Sequence, residues 1–544
     1  MPEFETRCLS SLIKVFPDEE LTARPFNQAS ALWNEAYSFQ VAYRQKGNEL
    51  EKVTVRAEGT IGDVVTMRTV GLVPSNFPCY KDHDEDVLRV TPGLYPDPLY
   101  RMKDRGLPVA PSNQWRSVWI TVNLDEKIQA GSKQINVLFE KESGELLGEE
   151  VFDLEVIPAS LPEQQLICTQ WFHADCLATH YNVDIFSEEH WERIDQYMQT
   201  AAEHGSNMLL TPLFTPPLDT DIGGVRPTVQ LVEVEKTGET YQFNFAKLTR
   251  WIELCLKHGI RYVEFSHLFT QWGAEHAPKI VAKVNGETNR IFGWETDASG
   301  HEYKEFLSQF LPELITYIKE QGLEDRVYFH VSDEPSQDNL ESYQQASDLI
   351  HDYLSDFPVI DALSDYAFYD RGLVKNPIPA NDHLVPFLEN NVPNLWTYYC
   401  CVQYKKVSNR FFAFPSARNR ISGMQFYHYN IAGFLHWGYN FWYSRLSRKQ
   451  IDPFQNTDAD GGFPSGDAFL VYPGENGPIE SIRMEVFYEA LQDLRALQLL
   501  EKLIRRAEVL NLLGPITFED YPRGSEWLLT KREKVNQKIL EAIE

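Results

Sequence analysis

The chain has 544 residues, too many for one small fold and enough to bury a large core. Hydrophobic residues make up 43% and charged residues 24%, values that exclude wholesale disorder. The 50 basic against 79 acidic residues give −29, spread along the chain; this argues against nucleic acid and anionic lipid as partners, whose binding draws on Lys/Arg clusters and counterion release.

Seven cysteines, an odd number with one adjacent pair and no CxxC, indicate reduced thiols rather than a disulfide framework or a zinc site. The opening Met-Pro-Glu-Phe-Glu-Thr-Arg lacks the basic and apolar stretches of a signal peptide, and no apolar run is long enough to span a bilayer. A cytoplasmic protein with no membrane insertion is expected; oligomeric state is not legible. Aromatic residues reach 13%, and their flat faces suit neutral sugars.

Short alternating stretches at Lys52–Arg56, Ser117–Val122 and Gln134–Phe139, separated by Gly, Pro, Asn and Asp clusters, predict an antiparallel β-sandwich. Its last strand is expected at Val151–Ile157, with a linker at Pro158–Pro162. A boundary near 162 divides the chain into an N-terminal β-sandwich domain, 1–162, and a catalytic domain, 163–544.

Beyond the boundary, apolar strands alternate with amphipathic helices. Strands are expected at Leu166–Phe172, Asn207–Leu213, Tyr262–His267, Val327–Ser332, Val359–Leu363, His383–Phe387, Leu395–Cys400 and Gly433–Tyr439. Helices are expected at Glu188–His204, Phe245–His258, Tyr303–Gln321 and Leu340–Ser355. Such alternation predicts parallel strands in a (β/α)8 TIM-type barrel, with a doubly wound open sheet as the alternative. Apolar residues at helical spacing from Ile482 to Ile504 predict a long helix on the outside of the barrel, followed by no chemistry of its own.

In a barrel, catalytic groups belong at the C-terminal strand ends. The fourth strand ends in Asp333-Glu334-Pro335, two carboxylates after an apolar run. Successive strand residues face opposite ways, so both meet one substrate only if the chain bends there. Two adjacent carboxylates among aromatics favour one held proton, the general acid that glycoside hydrolysis requires. Many barrel glycosidases end this strand in Asn-Glu-Pro, the Asn binding the sugar's 2-hydroxyl. An Asp in its place is an acceptor only and suits a 2-acetamido N–H. No carboxylate stands on Leu395–Cys400, where such barrels keep a nucleophile. A substrate-assisted route follows: the acetamido carbonyl attacks C1, Asp333 orients its N–H, and Glu334 serves as acid and then base. Tyr398 or Tyr399 is the expected donor to the acetamido oxygen.

Together with Asp333-Glu334, the blocks Thr169-Gln-Trp-Phe-His-Ala-Asp175, His267-Leu-Phe-Thr-Gln-Trp-Gly273, Gly433-Phe-Leu-His-Trp-Gly438 and Gly466-Asp-Ala-Phe-Leu-Val-Tyr-Pro-Gly474 resemble the glycoside hydrolase family 123 group, over most of the chain. The resemblance implies β-N-acetylgalactosaminidase activity by the substrate-assisted route, with the family's adjacent Asp-Glu pair falling on Asp333 and Glu334. It fixes the reaction type better than the sugar.

Sugar contacts are expected from Trp437 as a floor, Trp272 and Trp294 as walls, and Trp396 and Trp442, each weighed against core packing. His173, His267 and His330 are expected to bond sugar hydroxyls, against a plain structural role. Neither a metal nor an organic cofactor is implied. Two readings compete with the acetamido-hexosidase. One is a two-carboxylate retaining glycosidase with Glu264, Asp361 or Asp365 as nucleophile; the other is a non-hydrolytic carbohydrate-binding scaffold.

Overall fold

The computed structural model describes residues 4–47, 50–61, 64–102 and 108–544. Strand follows strand through the first part of the chain: β1 (Phe4–Ser10), β2 (Gln28–Trp33), β3 (Glu35–Gln45), β4 (Glu51–Gly59), β5 (Val65–Ser75), β6 (Gly93–Arg101), β7 (Val109–Ala110), β8 (Arg116–Leu124), β9 (Gly131–Lys141) and β10 (Leu146–Ser160). They form two five-stranded sheets, ordered β1-β3-β8-β5-β6 and β2-β10-β9-β4-β7. Val41, Val118 and Ile120 of the first share one apolar core with Val53, Ile135 and Phe152 of the second. Alternation generates this: inward residues bury while their neighbours stay wetted. The predicted strands fall inside β4, β8, β9 and β10. Two details depart from expectation. The β2–β10 pair is parallel, and β10 continues to Ser160, its register shifting between Ile157 and Ser160 so that Pro158 sits in an irregularity rather than a linker.

The chain then changes character. Strands β11 (Ile167–Gln170), β12 (Met208–Thr211), β15 (Tyr262–Phe265), β18 (Val327–Tyr328), β21 (Trp396–Tyr398) and β22 (Gly433–His436) form an all-parallel sheet ordered β18-β15-β12-β11-β22-β21. β19 (Ile360–Ala362) and β20 (Asn376–Ile378) form a second parallel pair. Single parallel bridges, Phe329 to Val359 and Ala380 to Tyr398, join that pair to β18 on one side and β21 on the other. Met208, Leu210, Ile360, Ile378, Trp396 and Leu435 pack into one apolar cluster along these strands. Such strands are buried on both faces and read as continuous apolar runs. Gly433 is required by a close approach: a Cβ there would lie 2.0 Å from the Trp396 indole.

Helices Glu188–Glu203, Ala246–Lys257, His301–Glu320 and Leu340–Leu354 lie within two residues of expectation. Ser187 caps the first, accepting the His190 N–H. The long helix Ile482–Leu503 is capped by Ser481 and followed by Arg506–Leu513 and Ser525–Ile543. One strand needs correction. His383–Phe387 is not a strand, because Pro386 opens the short helix Val385–Glu389, and the strand of that position is Asn376–Ile378. Loops after β12 and β15 contribute β13 (Glu233–Thr237), β14 (Thr240–Asn244), β16 (Ile280–Val284) and β17 (Glu287–Phe292), a separate four-stranded sheet. The chain is thus multidomain, strand-rich at its start and helical toward its end. All seven cysteines are free, and among the described residues no helix is long and apolar enough to cross a membrane.

Candidate active site

β18 ends after two residues, and the chain that leaves it turns sharply. Glu334 takes a left-handed backbone conformation, φ 45°, its N–H donating to the Ala362 carbonyl at 3.1 Å, while Trp272 N–H donates to the Asp333 carbonyl at 2.8 Å. Regular strand geometry would send the two side chains to opposite faces. With the bend, both Asp333 and Glu334 line one cavity of about 340 Å³. Trp171, Trp272, Tyr398 and Trp437 share its wall, each at or beyond the C-terminal end of a parallel strand. Asp219 (φ 39°) and Trp272 (φ 60°) are also left-handed. Such conformations cost roughly 1–3 kcal/mol each outside glycine and cluster where geometry serves function.

Burial, and next the Glu334 charge, push the Asp333 carboxyl well above the usual carboxylate range. Glu334 is exposed to the open cavity, where water reaches it, while protein surrounds the cavity walls. Burial raises its carboxyl, opposed by the Tyr398 hydroxyl, which donates to Oε1 at 2.8 Å. Two adjacent carboxylates in such a setting resist carrying two charges, so the pair favours holding a proton.

A fully buried polar network lies beside the pair. Glu264 accepts from Trp171 Nε1 at 2.8 Å, from His330 Nε2 at 2.7 Å and from the Thr169 hydroxyl. Asp361 accepts from His330 Nδ1 at 3.3 Å, Val331 N–H at 3.0 Å and the Tyr343 hydroxyl at 2.5 Å. Burial alone would lower the His330 imidazole, but the hydrogen bonds and charges of Asp361 and Glu264 overturn it and hold it at about 9. His330 is therefore an imidazolium bracketed by two carboxylates. Neither carboxylate lines the cavity, and Asp365 caps the helix Tyr366–Asp370 by accepting the Ala367 N–H.

Trp437 is fixed at both ends. Its Nε1–H donates to Asp467 Oδ2 at 2.9 Å, and its carbonyl accepts from His173 Nε2 at 2.9 Å. His173 Nδ1 in turn accepts from Arg226, which also holds Asp175 through two bonds of 2.9 and 2.7 Å. Burial and the Arg226 charge hold His173 near 3, so it is neutral with its proton on Nε2.

Of the residues singled out in the sequence, Asp333, Glu334, Trp272, Tyr398 and Trp437 are brought together. His173, His267, His330, Trp294, Trp396, Tyr399 and Trp442 do not line the cavity. His173 lies behind Trp437. His267 is buried with its ring stacked on His330 at 4.2 Å. Trp294 donates to the Gly224 carbonyl, tying two loops. Trp396 and Tyr398 share the inward face of β21, Trp396 two residues nearer its start, so it fills the interior. Tyr399 faces outward by the same alternation and donates to Asn419. Trp442 is sealed against His180 and Tyr197. Sequence reasoning missed Trp171 as a lining residue, and also Asp219, Arg445 and Phe463, which reach the cavity from long loops.

Among the described residues, His267, His330 and Asp361 bring potential metal ligands within 4.8 Å of one another. Their geometry does not fit a metal. Both His330 nitrogens already serve carboxylates, and two rings stacked 23° from parallel do not aim lone pairs at a common point.

The family model described as glycoside hydrolase 123, catalytic domain, matches residues 171–500, more than half the chain. No curated protein matches. A family 123 glycoside hydrolase from Clostridium perfringens has a similar solved structure, with a TM-score of 0.74 at 16% identity, covering 99% of this chain and 98% of that one. The endo-β-1,4-mannanase of Thermotoga petrophila overlaps more weakly, with a TM-score of 0.34 at 12% identity over 61% of this chain and 77% of that one. The matched span includes Asp333, Glu334 and the whole cavity wall, and on it the chain belongs to glycoside hydrolase family 123.

Proposed function

We propose that this protein is a retaining exo-hydrolase of terminal 2-acetamido-2-deoxy-β-hexosides, N-acetylgalactosamine first among them, working by substrate assistance. Its scaffold in this reading is a β-sandwich over 1–162 followed by a closed (β/α)8 barrel over 163–544. The observation that carries the reading is the left-handed turn at Glu334, which gives one cavity two adjacent carboxylates with raised proton affinity. Asp333 accepts the acetamido N–H and aims the carbonyl oxygen at C1. That hydrogen bond favours the Asp333 carboxylate and leaves the shared proton on Glu334. Glu334 protonates the glycosidic oxygen as the C1–O bond breaks and the carbonyl oxygen bonds to C1. It then takes a proton from water, which attacks C1 as the bond from C1 to the acetamido oxygen breaks, freeing the acetamido group and restoring the β configuration. Tyr398, whose single hydroxyl proton goes to Glu334 in the empty cavity, turns it to the acetamido oxygen once the sugar binds; Tyr399 points away.

The two-carboxylate alternative loses its named nucleophiles, because Glu264 and Asp361 have their oxygens bound within the protein and Asp365 is a helix cap. The Clostridium perfringens relative is described for glycolipid glycan hydrolysis, which agrees with a glycan as substrate. A panel of aryl β-glycosides varying the C2 substituent and the C4 configuration tests the reading. Acetamido substrates are expected to be cleaved roughly 10³-fold or more faster than their 2-hydroxy analogues, since only they carry the intramolecular nucleophile. Comparable turnover of the 2-hydroxy sugar sinks the substrate-assisted route. Tight binding of acetamido sugars with no product over days selects the non-hydrolytic scaffold.

A further inference from the structure

Asp219 is the third acidic side chain of the cavity, and neither general acid nor acetamido orientation uses it. It sits in the loop after β12, where the chain is clasped to the loop after β22. Leu446 N–H donates to Asp219 Oδ2 at 2.8 Å, the Ser447 hydroxyl donates to the Asp219 carbonyl at 2.7 Å, and Asp221 N–H donates to the Leu446 carbonyl at 3.1 Å. Asp219, Leu446 and Ser447 are all left-handed, with φ of 39°, 61° and 54°. Three such non-glycine residues in one clasp persist only where surrounding bonds over-determine them. The clasp immobilises Oδ2. No protein donor among the described residues reaches Oδ1.

We propose that Asp219 is the residue that reads the terminal sugar, its Oδ1 accepting hydrogen bonds from ring hydroxyls remote from C1 and C2. This rests on the glycosidase reading above. A carboxylate is an acceptor only, and a sugar ring offers it hydroxyl donors. The Trp171 and Trp437 indoles in the same wall supply the apolar surface against which a ring is held. Charge-assisted acceptance is directional, so an epimer or deoxy sugar that misplaces its hydroxyl leaves the carboxylate unpaired. Burial lifts the Asp219 carboxyl to about 6, opposed by the Leu446 N–H, Arg226 and Arg445, which leaves it charged at neutral pH.

The test crosses Asp219→Ala and Asp219→Asn with aryl β-glycosides lacking the 3-, 4- or 6-hydroxyl in turn. The substrates carry whichever C2 substituent the wild-type protein cleaves, so failure of the acetamido reading leaves the cycle readable. One deletion is expected to lower wild-type kcat/KM by roughly tenfold to a hundredfold, the usual range for a hydrogen bond to a charged group. The same deletion should cost Asp219→Ala less than about threefold, because its partner is already gone. Asp219→Asn keeps an oxygen for Leu446 N–H and tolerates the left-handed backbone, so it should fold normally and fall between the two. Equal deletion penalties in all three proteins overturn the proposal. So does a covalent 2-fluoro-sugar adduct on Asp219, with Asp219→Ala inert on every substrate, which would make Asp219 the nucleophile.

Discussion

Two regions of the molecule gather carboxylates, and they pair them differently. Along the seam between the N-terminal sheets and the C-terminal helices, Asp97 accepts two bonds from Arg483 at 2.9 and 2.8 Å. Glu35 pairs with Arg532 at 2.6 Å, Asp493 with Arg420 and Arg532 at 2.8 Å each, and Glu485 with Arg68 at 2.5 Å. In the cavity, Asp333, Glu334 and Asp219 have no arginine or lysine within ion-pair distance among the described residues. Burial raises the Glu485 carboxyl, but Arg68 and His204 overturn that and hold it at about 2. Burial raises Asp333 and Glu334, and the opposition, from the His330 charge at the first and the Tyr398 hydroxyl at the second, does not overturn it. Arginine joins the two halves at the seam and does not pair with the cavity acids, but pairing alone does not set the shift: Glu489 at the seam meets Arg420 at 2.8 Å and burial still raises it to about 7.

The largest expected effect is at the cavity. Glu334→Gln should lower turnover roughly 10²- to 10⁴-fold on glycosides with poor leaving groups, about 3–5 kcal/mol of barrier, and much less on activated aryl glycosides that need little protonation. Equal losses on both classes would remove the acid assignment.

At the seam the same exchange should act on stability instead. Glu485→Gln leaves buried Arg68 with only the more distant Glu480 at 3.8 Å and is expected to lower unfolding free energy by about 3 kcal/mol at neutral pH, with turnover per folded molecule retained. The sign with pH follows from a folded value lowered to about 2 from 4.5. The stabilisation is present above the higher value and lost as pH falls through the lower one. Denaturant melts should show the gap between wild type and variant narrowing on acidification; a gap independent of pH would contradict the ion-pair account.

The smallest effect is expected at Trp437→Phe, which keeps an aromatic wall but removes the Nε1–H bonded to Asp467. An orphaned buried acceptor costs about 1–3 kcal/mol. Burial holds Asp467 at about 7, so near neutrality the acid can stay protonated and soften the loss. A fall in kcat/KM of tenfold or less is expected, and a larger one would give Trp437 more than a packing role.

What the sequence discloses depends on how local each cause is. The four amphipathic helices are legible to within two residues because periodicity and caps lie inside the segment. Asn376–Ile378 is not, since three residues hold no period and Pro377 argues against a strand. Asp333 and Glu334 are legible as carboxylates closing an apolar run, whereas the bend that unites them is a property of the loops they bond. Tyr398 separates from Tyr399 only once Trp396 is known to face inward. The histidines and outlying tryptophans carry the right chemistry, but nothing local distinguishes a residue on the cavity wall from one directly behind it. Asp219 follows Pro216-Pro217-Leu218 past a strand end, and that punctuation was its only signal.

The backbone at Glu334 sets two kinds of selection against each other. Asparagine or glycine fits its left-handed conformation better than glutamate, so either would release backbone strain while removing the acid. A library of this protein screened for heat resistance alone should drift toward those residues at this position, gaining melting temperature as it loses its chemistry. Under the proposed acid role, glutamate is kept there only by selection for turnover.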